Sequence, residues 1–235
     1  MRLLRNHSIL SLLSTFLLIL SVGIGLSPSA RAENQRVKIV PINYEAADQV
    51  LTLLNKTSEA INLAGYKIRT KGGKVFEFSQ DKEKAQKIAP FGVLRIHSGP
   101  GAEEVYQDEG DLFWTKESVW DGEKTAQLLN PKGEVVFQLS LAQVGKVDQL
   151  AGCLARKEAV IYGLKTCPHC QTQKDKFSSS AKYLNYVECS ANRRKCLKDG
   201  IRSVPAWHFG KRDRRVVGAK SLDKLSQFAG CNYHD

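Results

Sequence analysis

The sequence predicts a two-domain α+β chain, with an all-β sandwich in front and a mixed α/β domain behind. Three observations lead there. All six cysteines fall between Cys153 and Cys231, so the front of the chain has none. The front is a series of short alternating apolar stretches separated by Gly, Asn and Pro turns, whereas the back alternates strand-like and helix-like segments. The charge divides at the same place: residues 33–140 hold 14 Lys and Arg against 16 Asp and Glu, and residues 141–235 hold 18 against 8. At 235 residues, with 42% hydrophobic and 25% charged residues, the chain has the composition of an ordinary globular protein of one large or two small domains.

Residues 1–32 read as an export signal. Arg2 and Arg5 precede an apolar stretch from Ile9 to Leu26, and Ala30-Arg31-Ala32 suits a signal peptidase, whose cut would leave Glu33 first. The competing reading is an uncleaved anchor over residues 9–26, which is near the lower length limit for crossing a bilayer. Either way residues 33–235 would lie outside the cytoplasm, in a periplasm, a thylakoid lumen or the extracellular space, where disulfides persist. Six cysteines there imply three pairs, with 15 connectivities open.

In the front domain Val37–Val40, Gln49–Leu54, Tyr66–Arg69, Val75–Phe78 and Val93–His97 have strand character. Gly72-Gly73 marks a hairpin, and Asn130-Pro131-Lys132-Gly133 turns the chain into Val135-Val136-Phe137. Many short strands at this spacing indicate a sandwich. Four stretches carry a family likeness: Leu53-Leu54-Asn55-Lys56, then Ile61-Asn62-Leu63-Ala64-Gly65-Tyr66-Lys67-Ile68, then Ala89-Pro90-Phe91-Gly92 before His97-Ser98-Gly99, then Trp120 with Gly122 to Leu128. Residues 36–140 resemble the lamin-tail domain, which implies an immunoglobulin-like sandwich used for docking, with no catalytic residues. Glu123 and Lys124 depart from the family's usual Gly-Asp. His97 reads as structural, and Trp114 and Trp120 as core anchors.

Gln138–Gly145 reads as a linker, and residues 147–235 as the second domain. Asp148 is placed to cap a short helix through Ala155. A strand at Ala159–Leu164 is followed by Cys167-Pro168-His169-Cys170, which opens a helix to Phe177. Pro168 suits a first turn, where its missing N–H is not needed. A strand at Tyr183–Glu188, a helix at Arg193–Asp199, a hairpin of Ala206–Phe209 with Arg215–Val217, and a Ser221-capped helix at Leu222–Ala229 complete the order β-α-β-α-β-β-α. That order is the thioredoxin-like α/β fold.

Further residues narrow the likeness. Tyr162-Gly163, the CPHC motif with Gln171, Gln173-Lys174, Tyr186-Val187-Glu188-Cys189, Cys196 and Val204-Pro205-Ala206-Trp207 resemble the thioredoxin-like domain fused to vitamin K epoxide reductase homologues. The resemblance implies disulfide exchange with a membrane-embedded, quinone-linked enzyme. Beyond residue 26 the chain has no apolar run of membrane length, so that partner would be a separate protein. The resemblance also implies a cis Pro205 facing the active cysteines, with Pro168 and the backbone of Val204 touching a bound substrate chain.

The chemistry follows from the motif. Cys167 at a helix start is the expected attacking thiolate, Cys170 the buried resolving thiol, and His169 a group that favours the thiolate and makes the Cys167–Cys170 disulfide more oxidising. Cys189 and Cys196 would pair, as a staple or as a second relay. By elimination Cys153 would pair with Cys231, two cysteines that the resembled family often lacks. Four of these cysteines could instead bind zinc, but the six-residue gap between Cys189 and Cys196 does not fit the usual spacing, and no metal or bound cofactor is expected. Arg193-Arg194-Lys195 and Lys211-Arg212-Asp213-Arg214-Arg215 form a solvated basic face, or a contact for an anionic membrane or acidic partner. No nucleic-acid motif accompanies them. The expected function is an exported thiol–disulfide oxidoreductase acting on protein thiols. The alternative is an exported scaffold whose back domain is only structural.

Overall fold

A computed structural model describes residues 32, 36–44, 46–102, 110–122, 125–210 and 214–233. Except for Ala32, the expected export signal lies outside the described residues, as do Glu123, Lys124 and Lys211 to Asp213.

Ten strands of the described residues build the front. They are β1 (Val37–Asn43), β2 (Gln49–Asn55), β3 (Ile61–Asn62), β4 (Lys67–Thr70), β5 (Val75–Glu77), β6 (Lys87–Ile88), β7 (Val93–Ser98), β8 (Leu112–Thr115), β9 (Thr125–Leu129) and β10 (Val135–Ser140). One sheet runs β1-β2-β7-β8 and the other β10-β9-β4-β5, while β3 and β6 pair by themselves. Neighbours are antiparallel except β7 and β8, which are parallel. Ile39, Leu51, Leu53 and Ile96 from the first sheet share a core with Ile68, Ala126, Leu128 and Val136 from the second. Trp120 is buried and meets Trp114 edge to face at 6.0 Å. The Asn after β2's apolar run has a definite task. Buried Asn55 donates to the Glu59 and Ala89 carbonyls at 2.6 and 2.9 Å and accepts from the Thr57 N–H at 2.9 Å. Strands β3, β6 and β8 are too short for their periodicity to stand out in the sequence.

The expected linker over Gln138–Gly145 is corrected. Gln138–Ser140 complete β10, and Leu141–Gln143 form a 3-10 turn that buries Leu141. The alternation that begins at Val135 continues through Leu139 to Leu141, so these residues belong to the core. Helix α1 (Lys146–Arg156) also starts earlier than Asp148. Gly145 is its N-cap, and Asp148 accepts the Gly145 N–H at 2.9 Å from inside the first turn.

The back contains β11 (Ala159–Gly163), α2 (Pro168–Asp175), β12 (Asn185–Glu188), α3 (Arg193–Lys198), β13 (Ala206–Phe209), β14 (Arg214–Val217) and α4 (Leu222–Ala229). Residues 178–183 wind into a 3-10 segment, which delays the second strand to Asn185. The sheet order is β12-β11-β13-β14, with β12 parallel to β11 and β13 antiparallel to it. Ser221 caps α4 by accepting the Lys224 N–H at 3.2 Å, and Gly230 ends it at φ +68°.

Front and back are joined by one core. Its buried side chains run from Ile39 and Leu53 through Leu150 and Leu154 of α1 to Ile161 and Trp207. Polar clasps cross the same boundary. Asn185 Nδ2 donates to the Phe91 carbonyl at 2.5 Å, Lys56 Nζ donates to the Leu184 carbonyl at 2.7 Å, and Arg156 donates to the Pro41 carbonyl.

Candidate functional site

Strand β11 ends at Gly163, and the next turn delivers Cys167 to the N-cap of α2. Glycine at 163 lets the Tyr186 side chain lie against the strand, since a Cβ would sit 2.6 Å from its hydroxyl and force the ring to move. Cys167 keeps an extended backbone, its N–H donates to the Leu164 carbonyl at 3.1 Å, and Pro168 occupies the first helical position.

Cys167 and Cys170 form a disulfide with a Cα separation of 5.2 Å. Their environments differ. Cys167 is half-buried, while Cys170 is fully buried. The Cys167 sulfur accepts the Cys170 N–H at 3.2 Å and lies 3.9 Å from the Val204 carbonyl oxygen. Pro168 and His169 are exposed, Val204 is half-buried, and Pro205 is buried behind it, joined by a cis bond. The Pro205 carbonyl accepts the Gly218 N–H at 2.8 Å, which fixes this loop to the end of β14. Cys167, Cys170, Val204 and Pro205 are therefore gathered at one end of the back sheet. His169 sits beside them, and its side chain makes no hydrogen bond or ion pair with another described residue.

Sequence reasoning missed Gln173 as a functional support; it appeared only as a matching position. Its side chain is fully buried one turn beyond Cys170, and Oε1 accepts from the Lys220 N–H at 2.6 Å and from the Trp207 indole at 3.4 Å. These bonds hold α2 against β13 and the loop before α4. A Gln three residues after a CxxC, on the same helix face, was the available signal.

Glu188 closes β12 at the same end. Burial works to raise its pKa, but hydrogen bonds from Ser190, the Lys165 backbone and Tyr186 outweigh that and hold it below the usual carboxylate range. Burial pushes the Tyr186 phenol upward, and the Glu188 charge adds to the shift.

The other four cysteines are also paired, Cys189 with Cys196 at a Cα separation of 5.9 Å and Cys153 with Cys231 at 6.0 Å. No cysteine is free. Among the described residues no cluster of His, Cys, Asp or Glu is arranged to hold a metal ion, and no helix is long and apolar enough to cross a membrane.

A cleft of about 610 Å³ lies at the opposite end of β11, between front and back. Cys153 and Cys231 line it together with His97, Arg95 and Asp48. His97 is not a lone histidine, because Nδ1 lies 2.9 Å from Asp48 and Nε2 3.3 Å from Asp111. Arg95 donates to Glu158 at 2.7 Å, to Asp111 at 3.2 Å and to the Arg156 carbonyl, so its charge is already satisfied within the protein.

The front half also has a known relative. Its ten strands and two facing sheets end at the turn after β10, and residues 30–143 match the family model described as Lamin Tail Domain. The front of this chain is a lamin tail domain, an immunoglobulin-like sandwich, and the matched residues run slightly beyond the expected 36–140.

Proposed function

We propose that the chain is an exported thiol–disulfide oxidoreductase whose back half is a thioredoxin-like domain working through Cys167 and Cys170. The observation that carries this reading is the asymmetry of the pair: a half-exposed sulfur at a helix start and a fully buried partner one turn inside. The sheet order β12-β11-β13-β14, with helices between its strands, supports the thioredoxin-like reading. Three disulfides are consistent with an exported protein.

The reaction is a two-step exchange. A substrate thiolate attacks the Cys167 sulfur, the Cys167–Cys170 bond breaks, and Cys170 leaves with the electron pair and takes up a proton. A second substrate thiolate then attacks the substrate sulfur of the mixed disulfide, and Cys167 departs. The substrate gains one disulfide, and the protein holds two thiols and the two electrons. The Cys170 N–H already aimed at the Cys167 sulfur, together with the positive end of α2, stabilises the departing Cys167 thiolate. His169, exposed beside the pair, is the further group expected to favour that thiolate. The Val204 carbonyl, 3.9 Å from the Cys167 sulfur, is placed to accept an N–H from an extended substrate chain beside Pro168. Reoxidation is assigned to a separate membrane-embedded, quinone-linked enzyme like vitamin K epoxide reductase, whose quinone would accept two electrons and two protons.

Catalysed refolding of a reduced disulfide protein tests the reading. Cys167→Ser should return refolding to the uncatalysed rate, and Cys170→Ala should accumulate mixed disulfides on Cys167. Equal refolding by the Cys167→Ser variant would remove the enzyme reading. One observation favours a second reading, an exported scaffold: the front matches a lamin tail domain, a family whose resemblance implies docking, and the back half shares its core. A Cys167–Cys170 reduction potential below about −300 mV, as structural disulfides have, would favour the scaffold.

A further inference from the structure

A second groove, of about 570 Å³, separates α3 from the lamin tail domain. Arg193, Arg194, Lys195 and Lys198 line one wall, and Ser58, Pro90 and Phe91 line the other. Arg193, Arg194 and Lys198 are exposed, and none of their side chains has a hydrogen-bond or ion-pair partner among the described residues. Lys195 is held by Asp199 at 2.8 Å and lies over the Phe91 ring at 5.8 Å. Asp199, the acidic residue of the lining, is occupied. It accepts from Lys195 and from the Tyr162 hydroxyl at 2.5 Å, and these bonds overcome burial to keep its pKa below normal. The groove therefore presents three uncompensated cations.

Its position ties it to the redox motif. Strands β11 and β12 are parallel, and Glu188 is in register with Gly163, so both strands end at one edge of the sheet. Cys167 follows one strand there and α3 follows the other. The Cys189 N–H donates to the Gly163 carbonyl at 2.9 Å, and the Cys189–Cys196 disulfide fastens α3 to this edge. The opposite wall is fixed by the buried bond from Asn185 to the Phe91 carbonyl.

We propose that this groove binds an acidic segment of the protein whose thiols Cys167 oxidises, with the lamin tail domain serving as its second wall. The assignment of the occupant as a redox client rests on the oxidoreductase reading; the groove's preference for acidic chain does not. Two walls suit a narrow extended segment better than a flat membrane surface, and three unpaired cations select negative charge.

The test is equilibrium binding of the intact oxidised chain to two dye-labelled, cysteine-free peptides, a Glu-Ser repeat and a Gln-Ser repeat. The acidic peptide should bind about tenfold more tightly, the scale expected of three exposed charge pairs acting together. The preference should vanish at about 0.5 M salt, where the screening length falls to about 4 Å. It should also vanish in the triple variant Arg193→Gln, Arg194→Gln, Lys198→Gln. Ser58→Glu, a single exposed change on the lamin tail wall, should weaken the acidic peptide alone, and it keeps the proposal testable if the triple variant folds poorly. Equal binding of the two peptides, an unchanged preference in the triple variant, or binding only to phosphatidylserine vesicles would each overturn the proposal. Failure of catalysed refolding with the peptide preference intact would instead remove the redox reading and leave the acidic-segment groove supported.

Discussion

Lys56 shows how much one residue's meaning depends on distant chain. In the sequence it stands in a polar stretch, Asn55-Lys56-Thr57-Ser58, that follows an apolar run. In the fold its ammonium is enclosed by the back half and donates to the Leu184 and Lys182 carbonyls. Burial, with the nearby charges of Lys38 and Lys174, lowers its pKa to about 8. An unfolded lysine stays protonated to about 10.4. Between these values the unfolded state carries a proton that the native state has shed, so this residue's contribution to stability rises with pH. Below about pH 8 both states are charged, and the full cost of enclosing the ammonium is felt. Relative to Lys56→Met, the native protein should gain about 1–2 kcal/mol from pH 7 to pH 9.5, discounted because the side chain is partly exposed. Urea unfolding of both proteins at the two pH values reads this directly, and a difference that stays flat or reverses would show that Lys56 is not enclosed. The same dependence on distant chain hid Gln173 and the Asp48–His97–Asp111 contacts, since their partners lie 34 to 47 residues away for Gln173 and 14 to 49 for His97. Cys167 and Cys170 were legible because their geometry is local: two cysteines three apart, a proline in the first turn and an apolar strand before them.

At the scale of elements, α1 decides how closely the two halves approach. Its buried face carries Leu150, Ala151, Leu154 and Ala155, and Gly152 sits where a Cβ would come 2.9 Å from Pro41 of β1 and 3.0 Å from its carbonyl oxygen. Two effects oppose each other in Gly152→Ala. Helix propensity favours alanine by about 1 kcal/mol. Against it, a methyl group driven into ring and backbone atoms costs about 1–3 kcal/mol, because backbone cannot turn aside as a long side chain can. The second effect should win, leaving the variant less stable by about 1 kcal/mol, and Gly152→Val should lose more. Denaturant midpoints check this, and a stabilised Gly152→Ala would mean that α1 and β1 are not packed this tightly. The existence of α1 was legible from Leu150, Ala151 and Leu154, but its role was not. A glycine inside a helical pattern shows only that something is close, and Pro41 is over a hundred residues earlier. The same limit explains the misplaced linker, since Gln138 and Ser140 look like loop composition until Leu139 and Leu141 are placed in a core.

For the whole molecule, the shared core changes what the Cys153–Cys231 bond does. Two domains joined by a linker would unfold independently, and a disulfide in the second would be invisible to the first. Here Cys153 lies in α1, whose neighbours Leu150 and Leu154 belong to the core that also holds Ile39 and Leu53 of the sandwich. The bond closes a loop spanning 78 residues of sequence separation, for which the chain-entropy account gives about 4 kcal/mol. That stabilisation should therefore reach the lamin tail domain. Tryptophans allow the two halves to be followed separately, with Trp114 and Trp120 in front and Trp207 behind. In a Trp207→Phe background, emission reports the front alone; with Trp114 and Trp120 changed to Phe, it reports the back. Urea transitions from both backgrounds should coincide. Adding Cys153→Ala with Cys231→Ala should then lower both midpoints together, by an amount equivalent to about 2–4 kcal/mol. If the front transition stayed fixed while the back moved, the halves would be independent domains and the continuous core would not govern unfolding. Joint movement would make the cysteine-free sandwich dependent on a disulfide it does not contain. The lamin tail domain would then be both a wall of the α3 groove and part of the body that holds the CPHC helix in place.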